Sequence, residues 1–294
     1  MIENLCVILG DQLSPNISSL KGFKKNQDEI LMMEVFNEAE YANHHKKKLV
    51  LVFSAMRHFA KELQNKGFSV KYSKINESKN NFTKELVHQC KKIQPKRVVI
   101  TYPGEYRVLQ EIKKWQKILN IPVSIIEDNR FFCTIDEFKK WTEGRKELRM
   151  ELFYQMMRKK YNILIDKNGK PKGGKWNYDI KNRKSLPKNH PEIPTPLKHK
   201  PDNITRQVVT EVKKKFPKHF GNLEPFWFAV THDQARKSLN DFIKNRLEMF
   251  GPYEDAMAQE QSFVYHSVLS MYLNLGLLEP KQIIDKVLEK DKIK

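Results

Sequence analysis

Three features of the sequence predict an α/β fold built on a parallel sheet and followed by an all-helical part. β-rich runs alternate with longer amphipathic segments over 1–161, a Gly-, Pro- and Lys-rich stretch covers 162–205, and only helical periodicity remains over 206–294. Leu5-Cys6-Val7-Ile8-Leu9, Ile30-Leu31-Met32-Met33-Glu34-Val35, Ser69-Val70-Lys71-Tyr72, Arg97-Val98-Val99-Ile100-Thr101-Tyr102 and Val123-Ser124-Ile125-Ile126 each read as a strand between polar or turn residues. The amphipathic segments between them are clearest from Lys46 to Gln64, Phe82 to Ile93 and Tyr106 to Leu119. Parallel strands need such crossovers, which cover both faces of the sheet. Ligands of these sheets bind beyond the carboxyl ends of the strands, where strand order reverses. Gly10-Asp11-Gln12-Leu13-Ser14 directly follows the first strand, and Pro103-Gly104-Glu105-Tyr106-Arg107 the fourth. A glycine at such a turn lets the backbone approach a ligand closely. The plainer reading is an ordinary strand-to-helix turn.

The stretch 162–205 contains Asp166-Lys167-Asn168-Gly169-Lys170-Pro171-Lys172-Gly173-Gly174-Lys175 and then Pro187, Pro191, Pro194, Pro196 and Pro201, the composition of a long loop or linker. Helical patterns follow from Gln207 to Phe216, His232 to Met249 and Leu269 to Leu278, with a last helix from near Pro280. Gly169 to Lys175 has the G-x-x-x-x-G-K spacing of a phosphate-binding loop, but Trp176 stands where a Ser or Thr would hold magnesium, and no strong strand leads into it. A nucleotide-triphosphate site is therefore not expected there.

Composition narrows the function classes. The 294 residues are 39% hydrophobic, enough to bury a core and to exclude a disordered chain, and 54 Lys+Arg against 35 Asp+Glu leave a net charge of +19. Such an excess attracts polyanions, so nucleic acid is the first partner to consider, beside the plainer reading of a Lys-rich solvated surface. Apolar runs such as Leu49-Val50-Leu51-Val52-Phe53 are too short to span a bilayer, and Met1-Ile2-Glu3-Asn4-Leu5 does not resemble a secretory signal. The expectation is a cytoplasmic protein with no membrane partner. Cys6, Cys90 and Cys133 form no C-x-x-C pair and read as reduced core thiols rather than disulfides or a metal site.

Few residue patterns carry chemistry. His44 and His45 are adjacent, so on a helix they point about 100° apart and cannot chelate jointly; they read as decoration of a helix start. No G-x-S-x-G elbow occurs. Glu34 and Glu38 end an apolar strand, where a carboxylate can accept hydrogen bonds from a ligand's ring N–H or hydroxyl groups, or can equally be a helix N-terminal acid. Tyr265-His266-Ser267-Val268-Leu269-Ser270-Met271-Tyr272-Leu273-Asn274-Leu275-Gly276 clusters hydroxyls and an imidazole before an apolar helix, which reads as a phosphate site or, for Ser267, as a plain N-cap.

That last segment resembles the flavin-phosphate-binding helix start of photolyases and cryptochromes, roughly T-S-x-L-S-x-Y-L-x-x-G, with His266 in place of the usual Thr. Ile8-Leu9-Gly10-Asp11-Gln12-Leu13-Ser14, Glu38-Ala39-Glu40-Tyr41, His44-His45-Lys46-Lys47-Lys48, Phe53-Ser54-Ala55-Met56-Arg57-His58-Phe59, Pro103-Gly104-Glu105-Tyr106-Arg107-Val108 and Gly173-Gly174-Lys175-Trp176-Asn177-Tyr178-Asp179 look like the bacterial iron–sulfur branch of that family, which includes the prokaryotic 6-4 photolyases. The match is collinear along the chain.

The resemblance implies a Rossmann-like antenna domain over 1–161, an interdomain linker over 162–205, and over 206–294 the start of an incomplete helical FAD-binding domain. It implies a 6,7-dimethyl-8-ribityllumazine antenna, with Glu38 bonded to its ring and Gly10, Asp11, Met33 and Val52 around it. It matches His266, Ser267, Leu269 and Ser270 to the stretch contacting the FAD phosphates, and Tyr253 more loosely to an upstream tyrosine facing the flavin. It implies light-driven repair of damaged DNA or blue-light sensing, for which the basic charge and base flipping are suited. Trp176, Asn182 and Arg183 are then candidates for duplex contact, with a solvated linker as the alternative. Family members continue for roughly another 200 residues, about one to two domains, which carry the rest of the flavin pocket and the four cluster cysteines. The iron–sulfur cluster is thus not encoded in this chain, which is expected to be a truncated product or to need a second chain. A non-catalytic lumazine-binding module and a basic nucleic-acid-binding protein are the competing readings.

Overall fold

The computed structural model describes residues 2–182, 184–187, 189–190, 192–259 and 261–293. Five strands, β1 (Asn4–Ile8), β2 (Asp28–Met33), β3 (Val70–Ser73), β4 (Arg97–Thr101) and β5 (Val123–Ile126), form one parallel sheet in the order β3-β2-β1-β4-β5. Pairing is in register from Asn4 opposite Asp28 on one side of β1 and opposite Arg97 on the other. Strand order therefore reverses between β1 and β4, the place where such sheets hold ligands.

The α-helices among the described residues are α1 (Phe36–Glu40), α2 (Lys46–Asn65), α3 (Phe82–Ile93), α4 (Tyr106–Ile112), α5 (Trp115–Leu119), α6 (Ile135–Thr142), α7 (Met150–Tyr161), α8 (Asn203–Lys215), α9 (His232–Asn245), α10 (Leu247–Phe250), α11 (Ser270–Leu275) and α12 (Pro280–Ile293). Leu5, Val7, Leu31, Met33, Val98 and Ile100 point to one face of the sheet and pack with Phe82 and Leu86 of α3, Val108 and Ile112 of α4 and Trp115 of α5. Their neighbours Cys6, Ile8, Ile30 and Met32 point the other way and are equally buried, so both faces are covered. α8 packs on α2.

Two expected helices are broken. The segment 106–119 divides where the Lys114 N–H closes a tight turn onto the Glu111 carbonyl and Trp115, fully buried, donates its indole N–H to Thr83 Oγ1 at 2.9 Å. The segment 232–249 divides at Arg246, which is 1% exposed and donates to Asp241 at 2.8 Å and to the carbonyls of Thr195 and His266 at 3.2 Å.

The chain forms two compact units, each assembled from separate stretches. The first comprises Met1–Arg130, Leu197–Ser238 and Leu269–Glu279; the second comprises Phe131–Pro196, Leu239–Val268 and Pro280–Lys294. These units are interleaved along the sequence, whereas the expected domains were consecutive. No helix among the described residues is long and apolar enough to cross a membrane.

Candidate chromophore cleft of the sheet unit

A cleft of about 260 Å³ opens at the carboxyl ends of β1, β2 and β4, close to the lower end of the usual ligand-site range of roughly 300–1,000 Å³. Its apolar wall is made by Leu9, Met33, Val35, Leu49, Val52, Phe53, Met56, Phe82 and Val108, and its polar groups come from Asp11, Glu38, Tyr41, His44, Lys48, Glu105 and Asn274. Gly10, Asp11, Met33, Glu38 and Val52, five residues separated by up to 42 positions, thus line one cavity. Gly10 matters by its size. A Cβ there would stand 3.1 Å from the Met56 sulfur and 3.2 Å from Val52 Cγ1, so a side chain would press on α2 and make those neighbours give way.

Asp11 brings a carboxyl group to this wall. Burial, opposed mainly by the charge of Arg130, raises its pKa above the ordinary carboxylate value. Because the folded state holds this proton more tightly than the unfolded chain, ionising Asp11 costs folding free energy as pH rises from the unfolded value through the folded one. Asp11→Asn is therefore expected to melt no lower than the native protein at pH 7, with an advantage that shrinks as pH falls towards 4. Thermal melts at the two pH values check this, and a variant losing more stability at pH 7 than at pH 4 would contradict it.

Glu34 and Glu38, alike in sequence, have different surroundings. Glu34 is fully buried and accepts from Arg57 Nε at 2.7 Å, Arg57 Nη2 at 2.9 Å, the Tyr72 hydroxyl at 2.6 Å and the Ile75 N–H at 2.8 Å. Its acceptor capacity is used inside the protein. Glu38 lies on α1 rather than on the strand and accepts a two-pronged pair from Arg107 at 2.8 and 2.6 Å. Arg107 also donates to Glu105 at 2.9 Å and lies 4.3 Å from the Tyr41 ring centre, while the Tyr41 hydroxyl donates to Glu105 at 3.2 Å. The bonds to Glu38 lead the causes that raise the Arg107 pKa above its already high ordinary value. Beside this clamp, burial and the charges of Lys48 and His219 lower the pKa of His44, and His45 caps α2 by accepting from the Lys47 N–H at 3.0 Å. Sequence patterns alone do not reveal the clamp as a unit, although Arg107 lies in the turn Pro103-Gly104-Glu105-Tyr106-Arg107 after β4, two residues beyond Glu105.

The flavin-stretch residues are distributed otherwise. His266 and Ser267 belong to the second unit, Leu269 and Ser270 to the first. Ser267 is not an N-cap: α11 begins at Ser270 after Leu269, which makes no side-chain cap bond, because Val268 at φ 55° turns the chain just before it. The His266 ring meets Phe250 edge-on at 6.4 Å, and Tyr253 lies 5.7 Å from Tyr265. Trp176 carries Arg158 and Lys159 over its ring at 5.1 and 5.3 Å, and Asn182 donates to Glu254 at 3.1 Å. Arg183 lies outside the described residues. The Gly169–Lys175 stretch forms a turn in which the Asp166 carboxylate accepts from the N–H groups of Asn168 and Lys170, both at 2.8 Å, and the next helical element, Asp179–Lys181, is a single 3-10 turn rather than the helix a phosphate loop requires.

Cys6, Cys90 and Cys133 form no disulfide, and burial pushes Cys6 up to about 12 and Cys90 to about 11, far from reactive thiolates. Among the described residues, no group of three or more His, Cys, Asp and Glu side chains is placed to hold a metal ion.

Residues 6–228 match the sequence model of a family described as deoxyribodipyrimidine photo-lyase-related protein. A curated (6-4) photolyase of Agrobacterium fabrum is 44% identical over 284 residues, which cover 95% of this chain and 55% of that protein. In structure, the chain is similar to a bacterial class III photolyase from Agrobacterium tumefaciens (TM-score 0.57, 12% identity, 99% of this chain and 54% of that one). It is likewise similar to a cryptochrome of Synechocystis (TM-score 0.57, 14% identity, 99% and 56%). Those two likenesses concern the fold. The chain spans about half the length of each of these three proteins.

Proposed function

Because this chain belongs to the deoxyribodipyrimidine photo-lyase-related family, we propose that it serves photolyase-type, light-driven repair of damaged DNA of the 6-4 class, and that its sheet unit is the antenna module, binding a ribityl-lumazine. The observation carrying this reading is that Gly10, Asp11, Met33, Glu38 and Val52 line one cleft at the switch point of the sheet. The residues fit such a group: apolar side chains from the strand ends and α2 suit a flat heterocycle, a carboxylate suits its single ring N–H, and a protonated carboxyl suits a ring carbonyl. When bound, the lumazine would supply light absorption. The chain's residues then exclude water from the ring, with Glu38 accepting a ring hydrogen bond and Asp11 giving or accepting one according to its protonation.

FAD, the group that would supply the electron for repair, is assigned here to the stretch His266, Ser267, Leu269 and Ser270, with Tyr253, on sequence resemblance. Damaged DNA is the proposed partner. The +19 charge supports it, and affinity should then fall steeply with salt. Blue-light sensing by the same cofactors is the second reading.

The test is to purify the chain in the dark, identify any released pigment by mass, and titrate 6,7-dimethyl-8-ribityllumazine into the colourless protein. Saturable binding that Glu38→Ala weakens by about tenfold or more, the loss of one hydrogen bond to a charged group, supports the antenna reading. Absence of binding overturns it, and unchanged affinity in Glu38→Ala removes Glu38 from the site.

A further inference from the structure

We propose that Asn274, supplied by α11 from a stretch far along the chain, is a ligand-contacting residue of the sheet cleft that recognises the hydroxylated side arm of the bound heterocycle. The inference rests on the cleft being a chromophore site. Asn274 and Leu275 line the cleft with Gly10 and Asp11, although more than 260 residues separate the two stretches. Leu275 is buried and Asn274 is exposed, so the wall that α11 adds is apolar inside and carries an amide at the opening.

α11 is held firmly in that place. The Leu13 N–H donates to the Leu275 carbonyl at 2.8 Å, and the Ser14 hydroxyl donates to Glu279 at 2.5 Å. Gly276 ends the helix at φ 82°, and a Cβ there would stand 2.7 Å from Arg130 Nη1 and 3.1 Å from the Leu13 nitrogen. Arg130 is buried, donates through Nε and Nη2 to Asp128 at 3.0 and 2.6 Å, and through Nη1 to the Asp11 carbonyl at 2.6 Å. The Gly10–Asp11 turn and the α11 terminus are therefore gripped together, which fixes Asn274 relative to the cleft floor.

The chemistry divides along the same line. The buried apolar lining takes a ring, whereas a primary amide offers two donors and an acceptor, the set that pairs with neighbouring hydroxyls. A polar arm leaving the ring towards solvent meets that amide at the opening.

The experiment compares two probes on the full chain: 6,7-dimethyl-8-ribityllumazine and 6,7,8-trimethyllumazine, which keeps the ring and lacks the arm. Asn274→Ala should weaken the ribityl compound about 3- to 10-fold, the range of one or two ordinary hydrogen bonds, leave the trimethyl compound unchanged, and leave the melting temperature unchanged. Asn274→Gln should recover part of the loss. Equal loss for both probes, or none for either, overturns the assignment of Asn274 while the cleft reading stands. Native protein that binds neither probe overturns both.

Discussion

Arg57→Met is expected to destabilise the sheet unit by about 3–5 kcal/mol, the cost of leaving a buried carboxylate without its counter-charge. Arg57, on α2, is 7% exposed and sits between two carboxylates: fully buried Glu34 at the end of β2 and Glu211 of α8, which it reaches at 3.1 and 2.5 Å. Burial disfavours the guanidinium's charge, but its bonds to Glu34 and Glu211 outweigh this and raise its pKa. Without it, Glu34 keeps only Tyr72 and the Ile75 N–H, and the Tyr72 hydroxyl, whose pKa burial and Glu34 already hold well above the ordinary value, cannot supply charge. Glu211 is 27% exposed and turns to water, so most of the loss arises at Glu34. Urea unfolding should show the midpoint falling with an unchanged slope. Glu34→Gln added to Arg57→Met should recover part of the loss, because the amide carries no charge to bury, its oxygen can still accept from the Ile75 N–H, and its NH2 can donate to the Tyr72 hydroxyl oxygen. A loss below about 1 kcal/mol in the single variant would place this network among surface pairs and contradict the account.

The same network shows what could be read from the sequence. The five strands were legible because fully buried parallel strands are short apolar runs, and Phe82–Ile93 and Val123–Ile126 fall where periodicity and turn residues put them. The cleft's position followed from strand alternation, since Gly10 and Gly104 had to fall at carboxyl ends of neighbouring strands. Glu34 and Glu38 could not be told apart, because their difference lies in Arg57 and Arg107, 23 and 69 residues away. α6 was overlooked despite a usable signal: Thr134 and Glu137 form a capping box, the T-x-x-E signature of a helix start. α7 was also passed over, although Met150, Phe153, Met157 and Tyr161 recur at helical spacing; it carries no capping signature, and its apolar side chains are mostly half-buried or exposed. The interleaving of the two units had no local trace at all. That Leu269–Glu279 joins the sheet unit depends on single contacts such as Leu13 with Leu275, which no window of sequence contains.

Arg107→Met is expected to raise the dissociation constant of 6,7-dimethyl-8-ribityllumazine about tenfold while changing fold stability by no more than about 1 kcal/mol, the ordinary worth of an exposed ion pair. Arg107 is 42% exposed and Glu38 24%, so their pairing contributes little to folding. Its effect is positional. α1 has five residues, too few to hold a helix by its own hydrogen bonds, and no side chain caps it. Two parallel bonds from Arg107 to Glu38, a third to Glu105 and the stacking on Tyr41 therefore set where the Glu38 carboxylate stands at the mouth of the cleft. Without the guanidinium, Glu38 and Glu105 also lose the positive charge between them, and their repulsion drives Glu38 outward. Arg107→Lys should recover only part of the affinity, because an ammonium balances the charge but cannot bridge both oxygens in a fixed plane. The readout is the split between pigment affinity and urea midpoint. Equal affinity in Arg107→Met and native protein would show that Glu38 needs no such positioning, and a loss seen only as lower stability would assign Arg107 to the fold.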